Sequence, residues 1–217
     1  MIILPVARMW PLYQIAVALV AVVAAPFALL ARGGRYRATL AGRLGRFEGE
    51  AVRDGLWIHA VSVGEVGVAA TLVRALPPDL PIVVTTVTPT GQERARTLFA
   101  GRASVAYFPL ELGFAVERFL DRFAPRALVL CEGDYWPLVL HRARRRGLPI
   151  AVVNGRLSDR SFPRLRRLRG PVRRLLLDPI GRFGVQTAAD RERLLALGAP
   201  AERIEVTGNL KFETPEP

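Results

Sequence analysis

Several apolar, β-prone runs of this sequence end in residues that can move protons or hold anions. Glu65 follows the first run after a turn that contains Gly64, Glu132 and Asp134 follow another run, and Lys211, the only lysine, follows the last. Carboxylates, guanidinium groups and an amine that converge could deprotonate a hydroxyl, hold a phosphate and offset developing negative charge. Further candidates stand after other runs: Ser62, Thr88, Thr90, Asn154, Arg156, Ser158, Gln186 and Asn209.

Alternating strands and helices must position these residues. Runs rich in Val, Ile and Leu predict strands at 56–61, 81–87, 104–108, 127–131, 148–153, 181–186 and 204–206. Apolar spacing predicts helices at 65–76, after 108, at 136–146, 161–177 and 188–197, and a capping box opens one at Thr90. The pattern predicts an α/β fold, a Rossmann-like parallel sheet with helices on both faces. The carboxyl ends of parallel strands share one edge, where the candidate residues would meet.

The stretch 57–76 combines a strand, a tight turn and a helix. Its glycines do not match G-x-G-x-x-G, and no acidic residue is placed to hold a ribose, so a dinucleotide site is not predicted. The helix start would offer free N–H groups to an anion. In the alternative interpretation, Gly64 and Gly67 serve only the turn, and Glu65 only favours the positive end of the helix.

The composition indicates a folded, strongly basic protein. The 217 residues are 51% hydrophobic, which suffices for a buried core. Lys and Arg number 31 against 19 Asp and Glu, a net charge of +12, and all but one of the cations are arginine. Arginine binds phosphate at two points, so anionic partners are expected, unless a GC-rich genome alone explains the arginines. Nucleic acid is not expected, since aromatic residues do not interleave with the basic runs.

Cysteine and histidine are too few for several kinds of site. Cys131 is the only cysteine, which excludes an internal disulfide and a cysteine-based zinc site. His59 and His141 are the only histidines, so we expect no metal. Cys131 lies within an apolar run and is predicted to be a core residue.

The beginning of the chain resembles a membrane anchor. Residues 9–31 are almost wholly apolar and long enough to cross a bilayer core of about 30 Å, so 1–31 is predicted as an anchor. Arginines are more frequent after this segment than before it, which predicts that the remainder lies in the cytoplasm. The basic residues 32–55 would form a connector against the anionic surface of the inner membrane. A cleaved signal peptide and a helix lying in the interface are the alternatives.

The predicted helix 161–177 carries a second basic patch. Its arginines are Arg164, Arg166, Arg167, Arg169, Arg173 and Arg174, and leucines and a valine form an apolar stripe between them. The patch is either a solvated face or a second contact with the membrane surface, where each cation adds roughly 1 kcal/mol.

Five segments together resemble the amino-terminal half of bacterial 3-deoxy-D-manno-octulosonic acid (Kdo) transferases. They are 57–65, 85–91, 132–137, 154–158 and 207–212, and they occur in the family's order and spacing over about 56–213. The resemblance implies a two-domain GT-B glycosyltransferase, with 56–213 as its Rossmann-like acceptor-binding domain. It also implies that 214–217 begins a linker to a second domain that binds CMP-Kdo and lies outside this chain.

The resemblance also implies roles for individual residues. Glu65 matches the general base that deprotonates the acceptor hydroxyl during an inverting transfer of Kdo to a lipid A precursor (lipid IVA). Glu132 and Lys211 match positions that stabilise the transition state, and no cofactor is implied. Acceptor binding is expected of Ser62, Gly64, Thr88, Thr90, Asp134, Asn154, Arg156, Ser158, Gln186 and Asn209. The alternative function is a catalytically silent, membrane-tethered module that binds an anionic phosphoglycolipid.

Overall fold

The computed structural model describes residues 10, 13–15, 17, 19, 20, 33–47 and 52–213. The predicted anchor lies mostly outside these residues, and the predicted linker 214–217 lies wholly outside them. Within the described part, none of the helices combines the length and the apolar character that crossing a membrane requires.

In the described part of the chain, seven parallel strands form a single sheet in the order β3-β2-β1-β4-β5-β6-β7. The order reverses between β1 and β4, and such a switch point opens a crevice at the carboxyl ends of the strands. The predicted parallel sheet is thus confirmed, with bounds that differ by a few residues. The strands are β1 Leu56–His59, β2 Ile82–Thr86, β3 Ser104–Tyr107, β4 Ala127–Cys131, β5 Ile150–Gly155, β6 Arg182–Val185 and β7 Ile204–Val206.

Helices connect the strands and cover the sheet. Within residues 33–47 and 52–213 the α-helices are α1 Gly33–Arg43, α2 Val63–Ala75, α3 Pro89–Leu98, α4 Gly113–Phe123, α5 Pro137–Arg145, α6 Phe162–Arg167, α7 Arg169–Val172 and α8 Ala188–Leu197. A π-helical turn, Arg173–Leu177, follows α7, and 3₁₀ turns lie at Ala201–Arg203 and Leu210–Glu213.

Both faces of the sheet are buried, which explains why its strands lack polar alternation. Trp57 and Ile58 are neighbours in β1 and point to opposite faces, and both are fully buried. Trp57 belongs to a large core with Phe119 and Leu128, whereas Ile58 belongs to a second core with Val66. Cys131 is buried in this second core, as predicted.

The predicted basic connector packs onto the domain where the structure describes it. The N–H of Leu110 donates to the carbonyl of Arg43 at the end of α1, at 2.9 Å. The ring of Phe47 lies edge-on to Phe119 and Phe123, with centroid distances of 5.4 and 5.2 Å. These contacts join α1 and the residues after it to the larger core.

The predicted capping box at Thr90 is wrong. Helix α3 begins directly after its N-cap, Thr88, whose hydroxyl accepts the N–H of Gly91 at 3.0 Å. Pro89 stands at the first helical position, where its missing N–H leaves no hydrogen bond unmade. Thr90 therefore lies inside the helix.

The prediction of one continuous helix over 161–177 is also wrong. The segment divides into α6, α7 and the π-helical turn, with Leu168 in a non-helical conformation between α6 and α7. Pro171 accounts for the break, because a proline cannot donate to the carbonyl four residues earlier and its ring collides with that carbonyl.

Two glycine-to-alanine substitutions are predicted to change stability in opposite directions. A Cβ on Gly55 would lie 2.4 Å from the carbonyl oxygen of Pro81, so Gly55→Ala should destabilise the fold by about 1–3 kcal/mol. A Cβ on Gly67, inside α2, would have no neighbour within 4 Å. Gly67→Ala should therefore stabilise by about 0.5–1 kcal/mol through its better helix propensity. Urea unfolding measures both, and equal effects would contradict this packing.

Candidate active site

The carboxyl ends of β1, β4 and β5 open onto one cavity of about 560 Å³. It brings together five polar residues that were predicted to meet at this edge: Glu65, Glu132, Asp134, Arg156 and Ser158. The remainder of the lining is Gly133, Tyr135, Leu157, Ser161, Leu165 and Leu176. The parallel sheet thus places acids from two different strand ends beside a cation from a third.

Glu65 is held at the start of α2 by hydrogen bonds from the turn before it. The N–H of Val61 donates to its Oε2 at 2.8 Å, and the hydroxyl of Ser62 donates to its Oε1 at 3.2 Å. Ser62 is also the N-cap of α2. Glu65 is only 7% exposed, so its carboxyl group is fixed in orientation and largely removed from water.

The surroundings of Glu65 suit it to accept a proton near neutral pH. The pKa of Glu65 is raised to about 7, chiefly by burial, and the negative charges of Asp134 and Glu132 act in the same direction. The hydrogen bonds from Val61 and Ser62 act in the opposite direction but do not cancel these effects. A general base works best when its pKa lies near the working pH.

Glu132 and Lys211 form an ion pair in the same crevice. The Nζ of Lys211 lies 2.5 Å from Oε1 of Glu132, and the two side chains are 43% and 21% exposed. Lys211 also lies beside the turn before Glu65, because a Cβ on Gly64 would be 3.5 Å from its Nζ. The ammonium group therefore remains close both to a second acid and to the helix that carries Glu65.

Asp134 adds a third acid at the cavity wall. Partial burial raises its pKa, and the charge of Glu132 adds to that effect, although Asp134 retains an exposed surface. Among the described residues, no group of three or more His, Cys, Asp or Glu side chains is arranged to hold a metal ion.

The other residues predicted to bind an acceptor lie in different surroundings. Gln186 donates to the carbonyl of Asn154 at 3.1 Å, and Asn209 accepts the N–H of Lys211 at 3.1 Å. Thr88 caps α3, and Thr90 lies exposed on the same helix. Asn154 is fully buried. These side chains, with Ser62, contact the protein's own groups or solvent, and a role for them in acceptor binding stays a prediction.

Sequence reasoning missed part of the cavity lining. Ser161, Leu165 and Leu176 line the cavity although none of them directly follows a strand, the position from which the site residues were predicted. The leucines were predicted as the apolar stripe of a helix, and that stripe was the available signal. Ser161 and Ser158 share a hydrogen bond at 2.8 Å, which connects this segment to the loop after β5.

Comparison with known proteins identifies sequence relatives. Residues 38–214 match the family model described as 3-Deoxy-D-manno-octulosonic-acid transferase (kdotransferase). The chain is 36% identical over 191 residues to 3-deoxy-D-manno-octulosonic acid transferase of Haemophilus influenzae, which covers 85% of this chain and 44% of the relative. It is 37% identical over 194 residues to the protein of that name from Bordetella pertussis, covering 85% and 45%. The chain thus spans less than half the length of these relatives.

Solved structures with a similar fold are more distant in sequence. UDP-GlcNAc 2-epimerase from Neisseria meningitidis bound to UDP-GlcNAc matches with a TM-score of 0.51 and 16% identity, over 72% of this chain and 47% of that chain. UDP-N-acetylglucosamine 2-epimerase from Rickettsia bellii matches with a TM-score of 0.51 and 17% identity, over 75% and 46%. At these identities the likeness concerns the fold alone.

The raised pKa of Glu65 predicts a pH-dependent difference between the wild type and Glu65→Gln. Because its folded-state pKa of about 7 lies above the ordinary 4.5, the folded protein holds this proton more tightly than the unfolded chain. As the pH rises through this interval, the wild type should lose roughly 2–3 kcal/mol of unfolding free energy relative to the variant. Urea unfolding at a series of pH values measures the difference.

The exposed residue Glu202 provides the matched control, since Glu202→Gln removes a carboxylate from the protein surface. A difference between the wild type and Glu65→Gln that does not vary with pH would contradict a buried carboxyl group with a raised pKa.

Proposed function

Since the chain belongs to the 3-deoxy-D-manno-octulosonic-acid (Kdo) transferase family, we propose that it forms the acceptor-binding half of a glycosyltransferase. The proposed reaction transfers Kdo from CMP-Kdo to a lipid A precursor, lipid IVA, in lipopolysaccharide core biosynthesis. It proceeds with inversion at the anomeric carbon. We assign the binding of CMP-Kdo to a second domain, in keeping with relatives more than twice as long as the matched region.

The observation that carries this proposal is the buried Glu65 carboxyl group, whose pKa is about 7, at the wall of an open cavity. In the proposed step, Glu65 takes the proton of an acceptor hydroxyl while the hydroxyl oxygen forms a bond to the anomeric carbon of Kdo. The bond between that carbon and the phosphate oxygen of CMP breaks, and CMP leaves with the electron pair. General-base assistance of this kind contributes typically 10²–10⁴-fold.

Lys211 is the cation best placed to offset negative charge during this step. Its ammonium group lies near Gly64, one residue before the base, and its side chain is partly exposed. We assign to Glu132 the part of holding Lys211 in place through their 2.5 Å contact. A fixed cation stabilises the transition state without the reorganisation that a mobile side chain would need.

The lining of the cavity suits a phosphorylated glycolipid. Arg156 offers a planar guanidinium group for a phosphate, and the acids Glu65 and Asp134 can bind sugar hydroxyls. Leu165 and Leu176 add an apolar wall. Such a mixture of charged and aliphatic groups supports an acceptor that joins a sugar phosphate to a hydrocarbon.

We also propose that the protein acts at the cytoplasmic face of the bacterial inner membrane. The support is the apolar composition of residues 9–31 and the excess of arginine after them. On this proposal residues 1–31 are the anchor, and the basic residues that follow contact the anionic surface. Membership of a transferase family does not favour the other function considered, a catalytically silent lipid-binding module.

Glu65→Gln is predicted to abolish transfer without abolishing acceptor binding. In the chain joined to a CMP-Kdo-binding domain, the loss of the base should lower kcat by about 10²–10⁴-fold, because an amide cannot take up the proton. Release of CMP measures kcat, and binding of lipid IVA to the variant measures the acceptor site. Glu202→Gln, which lies in the turn before β7 and outside the cavity lining, is the control. Transfer that persists in Glu65→Gln would exclude Glu65 as the base.

The same enzyme is predicted to become more active as the pH rises through about 7. Only the deprotonated form of Glu65 can act as a base, and its pKa is raised to about 7. We expect kcat/KM to increase about tenfold for each pH unit below the pKa and to level off above it. Initial rates in a series of buffers of equal ionic strength measure the profile, and a profile without this rise would contradict the assignment.

A further inference from the structure

Asn154 makes two side-chain hydrogen bonds that connect distant parts of the chain. Its Nδ2 donates to Oε1 of Glu132 at 3.4 Å, and its Oδ1 accepts the N–H of Leu210 at 3.0 Å. The side chain has no exposed surface. The amide group is therefore engaged with the protein on both sides.

These hydrogen bonds close a ring that includes the ion pair. Oε1 of Glu132 contacts both Nδ2 of Asn154 and Nζ of Lys211. Leu210, which donates to Asn154, is the residue directly before Lys211. Asn154 thus holds the carboxylate of the pair through one end of its amide and the backbone that carries the ammonium group through the other.

The backbone at Asn154 is itself specialised. Its φ of 54° is left-handed, a conformation that asparagine tolerates better than most residues. The register between β5 and β6 shifts between Val152 and Gly155, and such irregularities redirect side chains near functional sites. Gln186, the residue directly after β6, donates to the carbonyl of Asn154 and supports this conformation.

We propose that Asn154 is a positioning residue, which sets the location of Lys211 relative to Glu65 without touching the acceptor. The inference rests on the proposed function, because it gives Asn154 a part in the transfer reaction. An amide is required, since one end must donate to a carboxylate and the other must accept a backbone N–H. Aspartate retains the acceptor and loses the donor, and it also adds a fourth acid beside Glu65, Glu132 and Asp134.

Asn154→Gly and Asn154→Asp test the two ends of the amide separately. Glycine accommodates the positive φ, so it removes both hydrogen bonds without adding backbone strain. We expect amide hydrogen exchange at Leu210 to become about tenfold faster in Asn154→Gly and to stay slow in Asn154→Asp. The N–H of Thr207, which donates to the carbonyl of Val185, is the internal control in both proteins.

Lys211 supplies a second readout because it is the only lysine. After reductive methylation with a ¹³C label, the side-chain signal of Lys211 reports its surroundings in the NMR spectrum. Both variants should shift this signal, since both remove the hydrogen bond that orients Glu132. An unchanged Lys211 signal, or an unchanged exchange rate at Leu210 in Asn154→Gly, would overturn the structural part of the proposal.

Kinetics of the chain joined to a CMP-Kdo-binding domain test the functional part. We expect kcat to fall about 10²-fold in Asn154→Gly while KM for lipid IVA stays the same, because the cation is displaced and the acceptor contacts are kept. A rise in KM with unchanged kcat would indicate a direct contact with the acceptor and overturn the proposal. Unchanged kcat with fast exchange at Leu210 would show a purely structural residue and overturn it as well.

The two proposals fail in different ways. If the wild-type chain joined to a CMP-Kdo-binding domain transfers no Kdo, the proposed function is wrong, and so is the kinetic role of Asn154. Exchange at Leu210 and the Lys211 signal are measured on the chain alone, so they still decide whether Asn154 holds the ion pair.

Discussion

The removal of the Glu65 carboxyl group from water is the constraint on which the candidate site depends. A carboxylate in an apolar setting is costly unless it is neutralised or hydrogen-bonded, and here the turn before α2 supplies donors from Val61 and Ser62. These bonds can form only because β1 ends at the switch point and the helix starts within a few residues. The fold thus fixes both the position and the proton affinity of this group.

Charged groups of both signs lie around Glu65, so a substitution of any one of them would also affect the pKa of Glu65. Glu132 and Asp134 both raise the pKa of Glu65, while Lys211 neutralises part of their charge through its pair with Glu132. Removing the cation would leave three acids close together and make deprotonation of Glu65 and Asp134 harder. The site therefore behaves as a coupled set, in which the proton affinity of one acid depends on the charges of the others.

The sequence predicts the architecture well and the local geometry less well. Hydrophobic runs such as 127–131 indicate buried parallel strands because both faces of the sheet exclude water, and this fixes which residues gather at one edge. Pairings that depend on non-local contacts leave no comparable pattern, as with the hydrogen bond between Asn154 and Leu210. Pro171 is a sequence signal for the division of 161–177. The position of Leu165 in the cavity, however, depends on how α6, α7 and the π-helical turn pack against the sheet.

The packing of α1 determines how this helix is attached to the rest of the domain. The carbonyl of Arg43 accepts a hydrogen bond from the N–H of Leu110, and the ring of Phe47 packs against the rings of Phe119 and Phe123. Because of these contacts, α1 and the residues up to Phe47 do not act as a flexible hinge. A displacement of α1 would therefore be transmitted directly to the helix that carries Phe119 and Phe123, and through it to the core beneath the sheet.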